Sequence, residues 1–113
     1  MNQLQIARAF SVGNFSPFFN QFSDQIIWDI IGQQRIVGIS AVKQHCLEIE
    51  KHFQSVEHNF QIIKEIQHHN LYFIQGTAEF ITHDLVSKIS ACDIYTFNHS
   101  NALIHVESYC ISV

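Results

Sequence analysis

The second half of the chain leaves little freedom. Four β-rich runs, at 60–66, 71–82, 86–97 and 102–113, follow one another with short polar breaks between them. The breaks are His68-His69-Asn70, His83-Asp84 and His99-Ser100-Asn101. Connections this short join antiparallel neighbours, because a parallel pair needs a crossover of a dozen or more residues. The four runs are therefore read as one antiparallel meander. Strands longer than the common ~5–6 residues must curve to keep one face on a core. Gly76 lies inside the second run, where a glycine marks a bulge or bend.

The first half has a helical period. Leu4, Ala7 and Phe10 follow helical spacing, and Gly13 is placed to stop the helix. Ser16-Pro17 reads as an N-cap followed by proline at the first helical position, opening a short helix through Phe18, Phe19 and Phe22. Asp24-Gln25 reads as the turn before a strand, Ile26-Ile27-Trp28-Asp29-Ile30. Gly32-Gln33-Gln34-Arg35 then forms a hairpin connection into Ile36-Val37. In the third helix Ile39, Val42, Cys46, Ile49 and Phe53 alternate spacings of three and four, with Lys43, Glu48, Glu50 and Lys51 opposite. Ser40 is its candidate N-cap, and Glu57-His58-Asn59 ends it. Helices first and strands after give an α+β domain over residues 1–113. Its helices pack on one face of a curved antiparallel sheet.

Composition removes several functions. A formal charge of −4 and the absence of a Lys/Arg cluster argue against nucleic acid and against an anionic membrane surface. No window approaches the ~20 apolar residues of a membrane span, and the N-terminus lacks the features of a signal peptide. Three widely spaced cysteines, Cys46, Cys92 and Cys110, suit a reduced cytoplasmic protein. Ten phenylalanines imply a large aromatic core, a lined cavity or an apolar surface for a partner.

Two carboxylates stand inside apolar strand runs, where a free charge is costly. Asp29 is either a base for proton abstraction next to a carbonyl, or a strand-end group accepting bonds from the following turn. Asp93 shares a strand face with Ala91, Tyr95 and Phe97, so it is expected to be neutral or paired. Its partners would be His45, a tyrosine hydroxyl or water. Strand parity predicts that both aspartates project into one cavity, lined also by Phe80, Ile89, Tyr95, Val106 and some of Phe18, Phe19 and Phe22. Trp28 at the strand centre serves as core or as a ligand wall. On the last strand Ile104, Val106, Ser108 and Cys110 suit the concave side. Leu103, His105, Glu107, Tyr109 and Ile111 suit an outer face that a second copy would cover. None of the eight histidines has metal-ligand spacing, so no metal and no cofactor is expected.

The order of these pieces resembles the nuclear transport factor 2-like superfamily, in particular the SnoaL-like polyketide cyclases and the ketosteroid isomerases. The carriers are Gly13-Asn14-Phe15, Phe22-Ser23-Asp24, Trp28-Asp29-Ile30-Ile31-Gly32, Gly38-Ile39-Ser40-Ala41-Val42 and Asp93-Ile94-Tyr95-Thr96-Phe97. The resemblance covers essentially the whole chain. It implies a cone of curved sheet wrapped over three helices and a pocket for a small apolar or carbonyl-containing ligand. It also implies cofactor-free proton transfer, with Asp29 as base and Asp93 as a protonated hydrogen-bond donor, and a homodimer packed through the sheets. The isomerases' first-helix tyrosine falls at Ile6. The alternative is a non-catalytic binding or dimerisation module. A hydrolase of the limonene-epoxide type needs an Asp-Arg-Asp network, and neither Arg8 nor Arg35, the only arginines, has the strand position for it.

Overall fold

A computed structural model describes residues 2–113. Helix α1 (Gln3–Ser11) opens with a capping box, in which Asn2 Oδ1 accepts from the Gln5 amide at 2.8 Å and the Gln5 side chain accepts from the Asn2 amide. Gly13 follows the helix at φ +77°, the left-handed conformation that glycine adopts without penalty. A Cβ there would also meet the Phe53 ring at 2.5 Å.

The next segment is a 3₁₀ helix (Ser16–Gln21), and here the expected cap fails. Phe15, not Ser16, occupies the N-cap, and no side chain caps the end. The Ser16 hydroxyl and the amides of Phe15 and Ser16 all donate to Glu50 Oε2 of the following α-helix, at 3.0–3.1 Å. A remote carboxylate thus takes the first free amides of a helix end that has no side-chain cap.

Strand β1 (Phe22–Ile30) already includes Asp24 and Gln25, so the expected turn there is instead a strand irregularity between Phe22 and Ile27. Strand β2 (Gln34–Val37) completes a hairpin with it. Helix α2 (Ile39–Ser55) buries Val42 and Cys46, and its N-cap is Gly38 rather than Ser40. The chain enters β3 (Glu57–His68) directly, so Glu57-His58-Asn59 begin a strand. Strands β4 (Leu71–Thr82), β5 (Leu85–Phe97) and β6 (Leu103–Ser112) follow. His83 and Asp84 both take positive φ, as a tight two-residue hairpin requires.

One six-stranded sheet runs in the order β2-β1-β6-β5-β4-β3. The meander is antiparallel throughout, but β1 lies parallel to β6, which joins the early hairpin to the meander. The bulge sits on β3, between Ile62 and Lys64, opposite Gly76. Gly76 is required because a Cβ there would stand 2.8 Å from the Gln61 carbonyl oxygen. The concave face packs α1 over β4 and β5 and α2 over β1. Between the layers lies a core of Ile6, Phe10, Phe15, Phe22, Ile26, Trp28, Ile74, Tyr95, Phe97 and Val106, with Phe10 at its aromatic centre. The convex face is open and carries Val37, Ile66, Tyr109 and Ile111, all exposed.

Candidate functional site

Strand alternation fixes which side chains meet under the helices. Trp28 pairs with Val106, and both are buried on the concave face. Asp29, the next residue, therefore points to the convex face. There its Oδ2 lies 2.7 Å from His105 Nε2 and its Oδ1 lies 3.5 Å from Arg35 Nε. Glu107 approaches the other nitrogen of His105 at 3.9 Å. The expectation that Asp29 and Asp93 share one cavity is thus overturned. The tryptophan takes the inward position of that strand, and the adjacent aspartate cannot share it.

Asp93 does face inward, and it is the centre of a hydrogen-bonded group. Ser11 Oγ donates to Asp93 Oδ2 at 3.3 Å, and Tyr95 Oη lies 2.5 Å from the same Ser11 oxygen. With Ser11 donating to the carboxylate, Tyr95 donates to Ser11. Ser108, directly across from Asp93 on β6, also supports its charged form by hydrogen bonding. Ser108 in turn accepts from Trp28 Nε1 at 2.9 Å. Burial outweighs these bonds and raises the Asp93 carboxyl above the ordinary aspartate range. Tyr95 is completely buried, and burial followed by the Asp93 charge pushes its hydroxyl well above the usual tyrosine value.

Beside this group a cavity of about 160 Å³ is walled by Phe10, Phe15, Trp28, Phe53, Phe60 and Phe80, with Ile89, Ser108 and Cys110 also on its lining. A smaller cavity of about 50 Å³ lies toward the bulge, against Val12, Ile62, Ile74, Gly76 and Ala78. The two share Ser11, Phe60, Ile89, Ala91 and Asp93. No lysine, arginine or histidine lines either one.

The residues expected around the pocket divide into three groups. Asp93, Trp28, Phe80, Ile89 and Ser108 line the larger cavity. Tyr95 and Val106 are buried just behind it, Tyr95 reaching the site through Ser11. Phe22 is a core residue, Phe18 and Phe19 pack on the core's edge, and none of the three lines the cavity. His45 is not Asp93's partner. Its ring packs edge-to-face on Trp28 at 5.2 Å, and its Nδ1 lies 3.9 Å from Glu48.

Sequence reading missed Ser11, although one signal was present. Ser11 follows Ala7 by four residues on the buried stripe of α1, and a hydroxyl on a core-facing stripe needs a partner. Cys110, exposed at the cavity's edge, has its thiol pushed up by partial desolvation and then by the Asp93 charge, which disfavours the thiolate. Cys46 is buried and held at about 12, mainly by burial. Neither arginine enters the cavity. Arg35 stands beside Asp29, and Arg8 pairs with Glu65.

No family model and no curated protein matches the sequence. Solved structures match the fold. An NTF2-like protein of unknown function from Cytophaga hutchinsonii is 29% identical with a TM-score of 0.88, over 96% of this chain and 95% of that one. The epoxide hydrolase/cyclase-like enzyme SalBIII, of pyran ring formation in the polyether salinomycin, is 12% identical with a TM-score of 0.74, over 96% and 90%. An LEH-like epoxide hydrolase of M. tuberculosis is 13% identical with a TM-score of 0.71, over 96% and 80%. The fold is thus the curved α+β cone of NTF2-like proteins. The chain belongs to the nuclear transport factor 2-like superfamily.

Proposed function

We propose that this chain is a small-molecule pocket protein that takes up an uncharged, oxygen-bearing apolar compound, a carbonyl compound foremost, without a cofactor. The observation that carries this reading is Asp93, held with Ser11, Tyr95 and Ser108 at the floor of an aromatic cavity that contains no cationic side chain. When it holds its proton, a carboxyl placed there donates a hydrogen bond to a ligand oxygen, and the aromatic walls bury the rest. Proton abstraction by Asp29 has no place in it, because that group lies on the other side of the sheet.

The sole tryptophan, Trp28, lines the cavity, so its fluorescence reports occupancy. Acetophenone is expected to quench it saturably in the wild type and in Asp93→Asn, which keeps a donor. Asp93→Leu should bind about tenfold more weakly, the typical cost of leaving a buried oxygen unpaired. Equal binding by Asp93→Leu would remove Asp93 from the site.

A second reading is acid catalysis by the same group, favoured by a carboxyl that retains its proton to higher pH. SalBIII and the M. tuberculosis protein have this fold and are, respectively, epoxide hydrolase/cyclase-like and an LEH-like epoxide hydrolase. Conversion of styrene oxide by the wild type but not by Asp93→Asn would replace the binding reading with the enzymatic one.

The convex sheet face supports a homodimer. Tyr109 and Ile111 stand exposed on it toward the end of β6, with Val37 and Ile66 exposed on the two edge strands, apolar side chains of the kind that partners cover. Light scattering is expected to give twice the chain mass, and Tyr109→Glu to give the monomer, by placing an unpaired charge at the contact. A monomeric wild type at micromolar concentration would overturn this. The described residues contain no helix long and apolar enough to cross a membrane. Three unpaired cysteines fit a reducing, cytoplasmic setting.

A further inference from the structure

The two cavities meet at Asp93, and this says where along a ligand its oxygen lies. Asp93 and Ser11 line both cavities, so an oxygen held there has apolar space on either side. A ligand with a terminal oxygen would leave one side empty.

The sizes of the two lobes narrow the class. An apolar cavity of about 150 Å³ accommodates one benzene molecule. The larger lobe is about 160 Å³, and its aromatic walls offer edge and face contacts to another ring. The smaller lobe has about 50 Å³, one third of the space, which is room for one or two carbons. It exists because the β3 bulge faces Gly76, and because Ala78 and Ala91 present only methyl groups. Asp93 is the single ionisable oxygen acid on either lining, and no cation lines either one, so an anionic ligand finds no counter-charge.

Building on the pocket reading above, we infer that the ligand class is an aryl alkyl ketone, or its secondary alcohol, with a short alkyl arm. The ring occupies the aromatic lobe, the oxygen meets Asp93 and Ser11, and a methyl or ethyl group enters the lobe beside Gly76 and Ala78.

The test is a chain-length series at constant ring, read by Trp28 fluorescence: benzaldehyde, acetophenone, propiophenone, butyrophenone and valerophenone. Acetophenone should bind about fourfold tighter than benzaldehyde, as expected for one more buried carbon. Affinity should peak at methyl or ethyl and fall at least tenfold by valerophenone, because overfilling a packed lobe costs more than the added carbon contributes. Two variants move the optimum in opposite directions, and circular dichroism checks that each is folded. Ala78→Val fills the small lobe, so acetophenone should lose its advantage over benzaldehyde. Ile62→Ala enlarges it, so butyrophenone should become the best ligand. Binding that rises steadily with alkyl length, or an order unchanged in both variants, overturns the two-lobe assignment while leaving the pocket reading intact. Failure of the whole series to bind overturns both.

Discussion

Phe10→Ala is expected to lower the melting temperature by on the order of 15 °C. A Phe→Ala change in a core costs about 3–5 kcal/mol, from lost transfer energy and from the cavity left behind. For a domain of this size each kcal/mol corresponds to roughly 3–6 °C. Phe10 belongs at the upper end of that range. Its ring is 4.7 Å from Phe15, 4.8 Å from Trp28 and 5.6 Å from Tyr95, each in edge-to-face geometry, and 5.9 Å from Phe22. These four residues come from β1, β5 and the loop before the 3₁₀ helix, so no single neighbour can collapse into the space. The substitution also merges the void with the larger cavity, which Phe10 walls. Phe19→Ala is the control, because Phe19 is only partly buried at the edge of the core. Its loss should be less than half as large. Thermal melts of the two variants at one pH decide the matter, and equal losses would show that the aromatic cluster is not the centre of stability.

That contrast also marks how far the sequence could be read. The fold was legible because strand runs and turn residues are local signals. The meander, the stripe on α2 and the glycine opposite the bulge all follow from period and backbone chemistry. The features that were not legible depend on distant partners. Ser16 looks like a helix cap, but its hydroxyl and its own amide both donate to Glu50 of α2, so its side chain caps nothing. Asp24-Gln25 looks like a turn, yet pairing with neighbouring strands carries the chain through as an irregular β1. Phe18, Phe19 and Phe22 are indistinguishable by sequence from Phe10, Phe15, Phe53 and Phe60, which form the cavity walls instead. Asp29 shows the limit most sharply. A shift of one residue turns a side chain to the other face of a sheet. Trp28 takes the inward place because burying an indole with its N–H bonded to Ser108 is favourable, whereas burying a second carboxylate without a cation is costly.

Asp93→Asn and Asp29→Asn should therefore move stability in opposite directions near neutral pH. The folded state raises the Asp93 carboxyl, so the native protein holds a proton that the unfolded chain releases. The stability linked to that proton is fully present below the unfolded value of ~3.9 and is lost as the pH climbs through the folded value. Above that, the wild type carries a carboxylate in a place that disfavours charge, offset in part by bonds from Ser108 and from Ser11, which Tyr95 backs. An amide has the same shape and no charge. Asp93→Asn is thus expected to melt several degrees above the wild type at pH 7, with the difference shrinking toward pH 4. Every tenfold difference in the carboxyl's proton affinity between the folded and unfolded chain is worth about 1.4 kcal/mol. Asp29→Asn removes a charge that His105 and Arg35 contact on the half-open convex face. It should cost about 1 kcal/mol at pH 7, as expected of a partly exposed ion pair, and leave ligand binding unchanged. Melts of the three proteins from pH 4 to 8, with carbon NMR of the Asp93 carboxyl, measure both effects. A large loss of stability in Asp93→Asn at pH 7, with a wild-type carboxyl titrating at or below ~3.9, would mean that the hydrogen bonds outweigh burial. Asp93 would then be a charged structural pin between α1 and the sheet, and the donor role proposed for it would fall.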